Sequence, residues 1–487
     1  MKALLTAALA IILCSNVFAK DNLQACWEQQ VKPLEGQYLN LHFHETDRQL
    51  WHLFQPWQTM LNNVHGDISM SETAFFKNDT LSNIYFTNYS KTQLDSKELL
   101  LLDYGDKDLY VVTKDMFANA PYELARYSPA ILINYFHVHA GDAKKGKSKG
   151  AITYTLTINK AIVTLYISKK SSLLLHASAT VFDELYGNMT TNYYYNNYGV
   201  ANVLSYPQSV FIDKVNVHVF DTVRISAVGF VRTVTPLLTH PEGYLMVDEK
   251  VKQPDISVTK YDDHIHFIDM KHTNGKTLVV EFKDFILVAE APLNSANGEL
   301  IINEVRKIAP GKPIRYFVFG HYHPDYNGGM RPFVHVGAKI ISTKEDVPYL
   351  HYLATASHSM QPDSLELEPR PLQIDELDTF KTITDGSYTM NIYFIGKKSE
   401  HTNDYKVYYF PEEKMLFEDD LVGISLKGPL KKAGKRQAGL YNALKALNIE
   451  IDAMIQGWPV GDSYGMKTEF SWNELEETVN MKDTKIK

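Results

Sequence analysis

Tyr316-Phe317-Val318-Phe319-Gly320-His321-Tyr322-His323-Pro324-Asp325-Tyr326-Asn327-Gly328-Gly329 decides the reading of this chain, because an apolar run stops there at a cluster of metal-ligand side chains. From Ile314 to Phe319 most residues are β-branched or aromatic, as in a strand buried on both faces of an α/β sheet. The paired glycines then predict a tight turn into the next element. The ligands fall in a loop at a strand's C-terminal end. Two imidazoles one residue apart, His321 and His323, with the Asp325 carboxylate two further on, converge on one cation if the loop curls, and imidazole and carboxylate both suit zinc.

Upstream, Gly275 to Pro292 reads as a hairpin of buried strands joined at Lys283-Asp284, and Ala296 to Ile308 carries a helical apolar stripe of Leu300, Ile301, Val305 and Ile308. Strand, helix and ligand strand together predict a parallel crossover, which puts the histidine loop at the carboxyl end of the sheet, where α/β folds collect their sites. Downstream, Gly337 to Ser342 is a further strand, Ser357 to Pro371 a polar loop beside the site, and Arg436 to Leu447 a helix. Ser471 and Glu474 make a capping box for a terminal helix.

The ligand spacing resembles the His-x-His-x-Asp-His signature of the metallo-β-lactamase fold hydrolases, with Tyr326 where that family has its third histidine. Ser399-Glu400-His401-Thr402, followed by Val407 to Val422, is similar to the family's single-histidine turn, strand pair and bridging aspartate. The resemblance implies a four-layered αββα sandwich with His321, His323, Asp325, His401 and Asp420 as metal positions. A second departure stands at Ala453 to Pro459, where the family's last ligand is a histidine and this chain has Trp458 but no histidine. Both losses fall on the family's second metal. The expectation is therefore one tightly bound zinc ion.

His-x-His alone is a weak signal, since the chain also contains His42-Phe43-His44, His137-Val138-His139 and His264-Ile265-His266. These three pairs are expected to be structural or solvated, and the metal site to lie wholly in the C-terminal half.

The chain has 487 residues, 45% of them hydrophobic, enough for two domains with separate cores. Its net charge of −8 gives no electrostatic footprint for nucleic acid, and the basic run Lys144 to Gly150 reads as a solvated hairpin loop. Residues 1–19, a short basic head followed by an apolar core and Val17-Phe18-Ala19, have the form of a secretory signal peptide. Its removal leaves one cysteine, Cys26, no integral membrane segment, and a periplasmic or secreted location. Residues 20–250 read as an N-terminal helical segment, over Asp21 to Val31 and Thr46 to Asn63, and then a mainly antiparallel β domain. That domain has runs at Ala151 to Ile158, Ala161 to Ser168, Leu173 to Phe182, Tyr206 to Ile212, Val215 to Phe220 and Val223 to Val228. Tyr193 to Tyr198 invites an aromatic-ligand reading, which the ordinary place of tyrosine in half-exposed strands outweighs. The charged, proline-ended stretch Asp248 to Pro254 marks the boundary, and residues 251–487 are the metal domain.

The function expected is that of an exported metallo-hydrolase acting on a small-molecule ester, lactone, lactam, thioester or phosphoester. His321, His323 and His401 hold zinc, Asp325 or Asp420 orients the attacking water and takes its proton, and Tyr326 serves as a proton donor. The rival is a non-catalytic binding protein that keeps the sandwich with part of its ligands lost.

Overall fold

Leu39, Leu41 and Phe43 alternate as buried residues along Tyr38–Leu50, the pattern of a strand with one covered face. That strand belongs to an eleven-stranded sheet in a computed structural model that describes residues 21–51, 53–70, 85–90, 97–99, 108–109, 119, 121–232, 245–246, 253–461 and 464–482. The signal-peptide stretch lies outside the described residues. The chain divides into two units, and the division is not a single cut: Leu50–Met60 and Phe182–Met189, each the tip of a hairpin, group with Lys250–Lys487. No described helix is long and apolar enough to cross a membrane.

In the first unit the helices Asn22–Gln30 and Ala130–Val138 share one core with the sheet. Leu23, Ile133 and Phe136 pack there with Val163, Leu165 and Ile212. Three expectations are corrected here. Thr46 to Asn63 is not helical: it holds the end of Tyr38–Leu50, a turn, and the start of Thr59–Met70. Its helical spacing arose from tip residues such as Leu53 and Trp57, whose burial is set in the second unit rather than by their own strands. Val215 to Val228 forms one strand, Val219–Val231, because Val215, Asn216 and Val217 turn with φ of 52, 52 and 71°. The lysine run is an exposed edge strand, Lys144–Ser148, paired with Ala151–Ile158, where the lysines discourage further strand addition. Tyr193 and Tyr195 are core residues, while Tyr194 stacks on His176 at 4.4 Å.

The second unit is built from two sheets. The seven-stranded sheet runs in the order β1 (Ile256–Lys260), β2 (Ile265–Met270), β3 (Gly275–Glu281), β4 (Ile286–Ala289), β5 (Ile314–Val318), β6 (Lys339–Ser342) and β7 (Ile374–Glu376). β3 and β4 form the expected antiparallel hairpin, and helix α1 (Ser295–Ile308) carries the chain to β5, which lies parallel to β4. The six-stranded sheet holds β8 (Phe380–Thr384), β9 (Thr389–Phe394), β10 (Lys406–Phe410), β11 (Met415–Glu418), β12 (Ala453–Gln456) and β13 (Glu469–Ser471). Helix α2 (Lys435–Leu447) links β11 to the parallel β12, and Trp472–Asn480 closes with the Ser471/Glu474 capping box.

Alternation divides the side chains into layers. Leu278, Val280, Val318 and Ile341 of the first sheet meet Ile383, Met390, Phe410 and Phe417 of the second in one core. The other face of the first sheet, with Val279, Val288 and Phe317, packs on Ile301, Ile302 and Val305 of α1. The outer face of the second sheet, with Val407 and Leu416, packs on Leu440 and Leu444 of α2. Helix, sheet, sheet and helix follow one another.

Ser357 to Pro371 is anchored by a buried ion pair. Arg331 Nε reaches Asp363 Oδ2 at 2.6 Å, a second guanidinium nitrogen reaches Oδ1 at 3.0 Å, and Ser295 Oγ donates to Oδ2 at 2.8 Å. Burial pushes the Asp363 carboxyl up, but Arg331 and the Glu366 N–H outweigh it and hold the group at about 2. A depressed carboxyl contributes stability above its unfolded value and loses it as pH falls through the folded one. Asp363→Asn is therefore expected to cost at least about 2 kcal/mol at pH 7 in denaturant unfolding, with the deficit against the parent shrinking between roughly pH 4 and pH 2. A deficit independent of pH over that window contradicts the assignment.

Candidate metal centre

β5 delivers the ligand loop. Beyond Phe319 the chain passes Gly320, where a Cβ would overlap the Asp419 carboxylate, so no other residue leaves room for that contact. The Gly320 N–H donates to both Glu290 oxygens, at 3.0 and 3.2 Å, and its carbonyl accepts from Lys406 N at 2.7 Å. Gly328 and Gly329 have φ of −59 and −87°, so their role is space rather than a glycine-only turn: side chains there would run into Leu293 and Ala291.

His321, His323 and His401 are all buried, and one ring nitrogen of each lies within 4.8 Å of the others. His321 Nε2 and His323 Nδ1 are 2.9 Å apart. The turn Gly396–Ser399 presents His401, with Ser399 Oγ accepting from the His401 and Thr402 amides at 3.2 and 3.3 Å. The remaining nitrogens of the first pair are oriented from behind: His321 Nδ1 meets Asp419 Oδ2 at 2.7 Å, and His323 Nε2 faces the Leu53 carbonyl at 3.4 Å. With Nδ1–H donating, His321 turns the Nε2 lone pair toward the centre. His401 Nε2 is buried without a hydrogen-bond partner, and Asp420 Oδ2 stands 3.5 Å away.

The electrostatics suit a cation. Burial first, then the charges of His323 and His401, holds His321 well below the ordinary histidine range, so it is a neutral ligand. Beneath it Glu290 and Glu418 are pushed up to about 8 by burial, and Asp419 is raised by burial and by the charges of Glu290, Asp420 and Glu418. Lys406 offsets only part of this crowding of buried acids. Asp420 is the exception, since His401, His323 and Arg436 outweigh its burial and keep it low. Three converging buried imidazoles, a His401 Nε2 without a hydrogen bond and the acids packed beneath them fit a metal ion.

The structure brings His321, His323 and His401 together and sets Asp420 beside His401. Asp325 is half-buried and outside the set of close ligand atoms. Tyr326 is buried with its ring 4.4 Å from His321, and burial, then the charge of Asp420, raises its hydroxyl well above the ordinary range. Trp458 donates its backbone N–H to Asp419 O at 2.9 Å, and its ring lies tilted against Tyr464 at 4.6 Å.

Several site residues escape the sequence reading. Asp419 is signalled only by its place in Glu418-Asp419-Asp420. Tyr405 stacks on His321 at 4.9 Å, donates to Glu418 Oε2 at 2.9 Å and accepts from the Asp419 and Asp420 amides at 3.1 Å. The tip 50–60 corrects the expectation of a site confined to the C-terminal half: Leu53 O accepts from Tyr322 Oη at 2.8 Å, and Phe54 O from Asn403 N at 2.7 Å. Backbone acceptors leave no residue-type signal.

The other histidine pairs have structural partners. His44 packs on His65 at 4.4 Å, His137 stacks on Trp27 at 4.4 Å, His139 Nδ1 meets Tyr135 O at 2.8 Å, and His264 stacks on Tyr388 at 3.9 Å. A second set of close acids, Glu45, Asp47 and Asp221, already holds cations: Arg126 lies 2.6 Å from Glu45 and Lys214 2.5 Å from Asp221.

No family model matches the chain. A metallo-β-lactamase type 2 of Elizabethkingia meningoseptica is 25% identical over 170 residues, 34% of this chain and 61% of that relative, so the chain spans less than two thirds of the relative's length. The second unit has the metallo-β-lactamase fold. Among solved structures, a metallo-β-lactamase from Pontibacter korlensis is 17% identical with a TM-score of 0.34, over 46% of this chain and 97% of the other. The DIM-1 metallo-β-lactamase is 16% identical with a TM-score of 0.32, over 46% and 95%. A flavoprotein from Thermotoga maritima is 13% identical with a TM-score of 0.31, over 47% and 61%.

In this metallo-β-lactamase fold unit, replacing His321, His323 or His401 by alanine is expected to abolish tight metal binding, measured as metal content after dialysis. Asp419→Asn is expected to keep the metal with roughly 10- to 100-fold weaker affinity, as for loss of an orienting partner. Equal affinity in Asp419→Asn and parent contradicts that role.

Proposed function

We propose that the protein is an exported hydrolase that uses one zinc ion against an ester, lactone, lactam, thioester or phosphoester of a small molecule. The observation that carries this reading is the convergence of three buried imidazoles, with the His401 nitrogen held by no hydrogen bond and Asp420 3.5 Å from it. A zinc ion held by them would supply Lewis acidity to a carbonyl or phosphoryl oxygen and acidify water.

This chain's own groups do the rest. Asp419 and the Leu53 carbonyl fix the rings of His321 and His323. Asp420, kept ionised beside His401, orients the nucleophilic water and accepts its proton, with Asp325 as the other candidate base. Tyr326, whose hydroxyl keeps its proton, is a donor rather than an anionic ligand. Tyr326 and Trp458 in place of histidines support a single ion. The signal-like residues 1–19 support a periplasmic or secreted location. The same two replacements favour a second reading, a binding protein that keeps the metal without turnover.

Chelation is expected to abolish hydrolysis across a panel of chromogenic lactam, lactone and phosphodiester substrates, and one equivalent of zinc to restore it. Two equivalents bound with comparable affinity contradict the single ion. Asp420→Asn is expected to retain zinc while losing roughly 100-fold or more in kcat. A zinc-loaded protein inert toward every ester, lactone, lactam, thioester and phosphoester offered favours the binding reading.

A further inference from the structure

Beside the histidine loop the second unit has a half-open cavity of about 260 Å³. Its walls include Trp51, Trp57, Asp183, Tyr186, Tyr322 and Tyr349. Tyr322 belongs to the ligand loop itself, with its ring 4.7 Å from that of His323, so the cavity adjoins the metal centre. Trp57 is held in place by neighbouring rings, stacked on Tyr186 at 5.5 Å and edge-on to Tyr349 at 5.2 Å and Tyr352 at 4.9 Å. Trp51 is 53% exposed at the rim.

The lining has a definite sign. Asp183 is its one formally charged residue, and no lysine or arginine is among the described residues that line it. Asp183 Oδ1 caps the turn by accepting from Leu185 N at 2.9 Å and Tyr186 N at 2.8 Å, which fixes the carboxylate where it stands. Aromatic faces attract cations through their quadrupoles, and a carboxylate adds to that attraction while repelling anions. Roughly 150 Å³ suffices for a benzene ring, so one ring with a small cationic head fits here.

We propose that this cavity is a subsite for a soluble alkyl- or arylammonium group, the side arm of a substrate whose reacting bond lies over the three histidines. The substrate half of this rests on the hydrolase reading; the preference for a cation does not.

Calorimetric titration of the full chain tests it, with benzyltrimethylammonium as cation and benzenesulfonate as anion. The cation is expected to saturate a single site, with the anion at least about tenfold weaker. Asp183→Asn, which keeps the turn-capping oxygen, is expected to weaken the cation about tenfold, and Trp51→Ala, at an exposed position, several-fold. Anion binding as tight as cation binding overturns the proposal, as do unchanged affinities in both variants or uptake seen only with phosphatidylcholine vesicles. Because the titration reads binding alone, a chain that hydrolyses nothing can still pass it. In a chain that does hydrolyse a substrate, competitive inhibition by benzyltrimethylammonium supports the side-arm assignment, and its absence overturns that half.

Discussion

Asp419 and His321 share a buried hydrogen bond that ties the end of β11, in one sheet, to the end of β5, in the other. The bond exists because Gly320 offers no side chain to block the carboxylate. It sets the tautomer that His321 presents to a metal, and it does so only when both sheets are stacked in register. Lys406 strengthens the same seam. Fully buried, it donates its backbone N–H to Gly320 O at 2.7 Å and its ammonium to Asp404 O at 2.9 Å, with Asp346 3.7 Å away. Removing one member of such a buried charged network commonly costs roughly 3–5 kcal/mol, so the site and the sandwich stand or fall together.

The acids beneath the histidines show the other side of that dependence. Glu290, Glu418 and Asp419 are raised by burial and by one another, and each is retained through hydrogen bonds: Tyr408 and Gly320 to Glu290, Tyr405 and Leu421 to Glu418, His321 to Asp419. One oxygen each of Glu418 and Asp419 stays without a hydrogen bond, so the network fixes geometry at a cost in stability. A cation among the imidazoles would favour the ionised forms of these acids.

What the sequence disclosed follows from how locally each feature is encoded. The ligand strand, the hairpin before it and α1 are legible because the strands are mainly apolar runs and the helix repeats its buried positions within its own residues. His321 and His323 stood out from three similar pairs by the aspartate and glycines that follow them, and His401 by its resemblance to a known turn. Thr46 to Asn63 was misread because Leu53 and Trp57 answer to partners nearly three hundred residues away, such as Tyr322 and Tyr349. Asp420 is legible through the resemblance and does stand beside His401, while nothing in the sequence says that its neighbour Asp419 faces His321 as well. The Leu53 carbonyl was invisible, since any residue could supply it.

The second unit is discontinuous along the chain, and this bears on the order in which it can be completed. During synthesis from the N-terminus the tips 50–60 and 182–189 emerge long before β5, β10 and β11 exist. Their aromatic residues are therefore made well ahead of the rest of their own unit. The histidine centre gains its last supports only after Asp419 and Trp458 have appeared. Any metal held by all three histidines would thus find its site complete only late in synthesis, and a chain broken short of those residues would keep His321 and His323 without Asp419 to orient them.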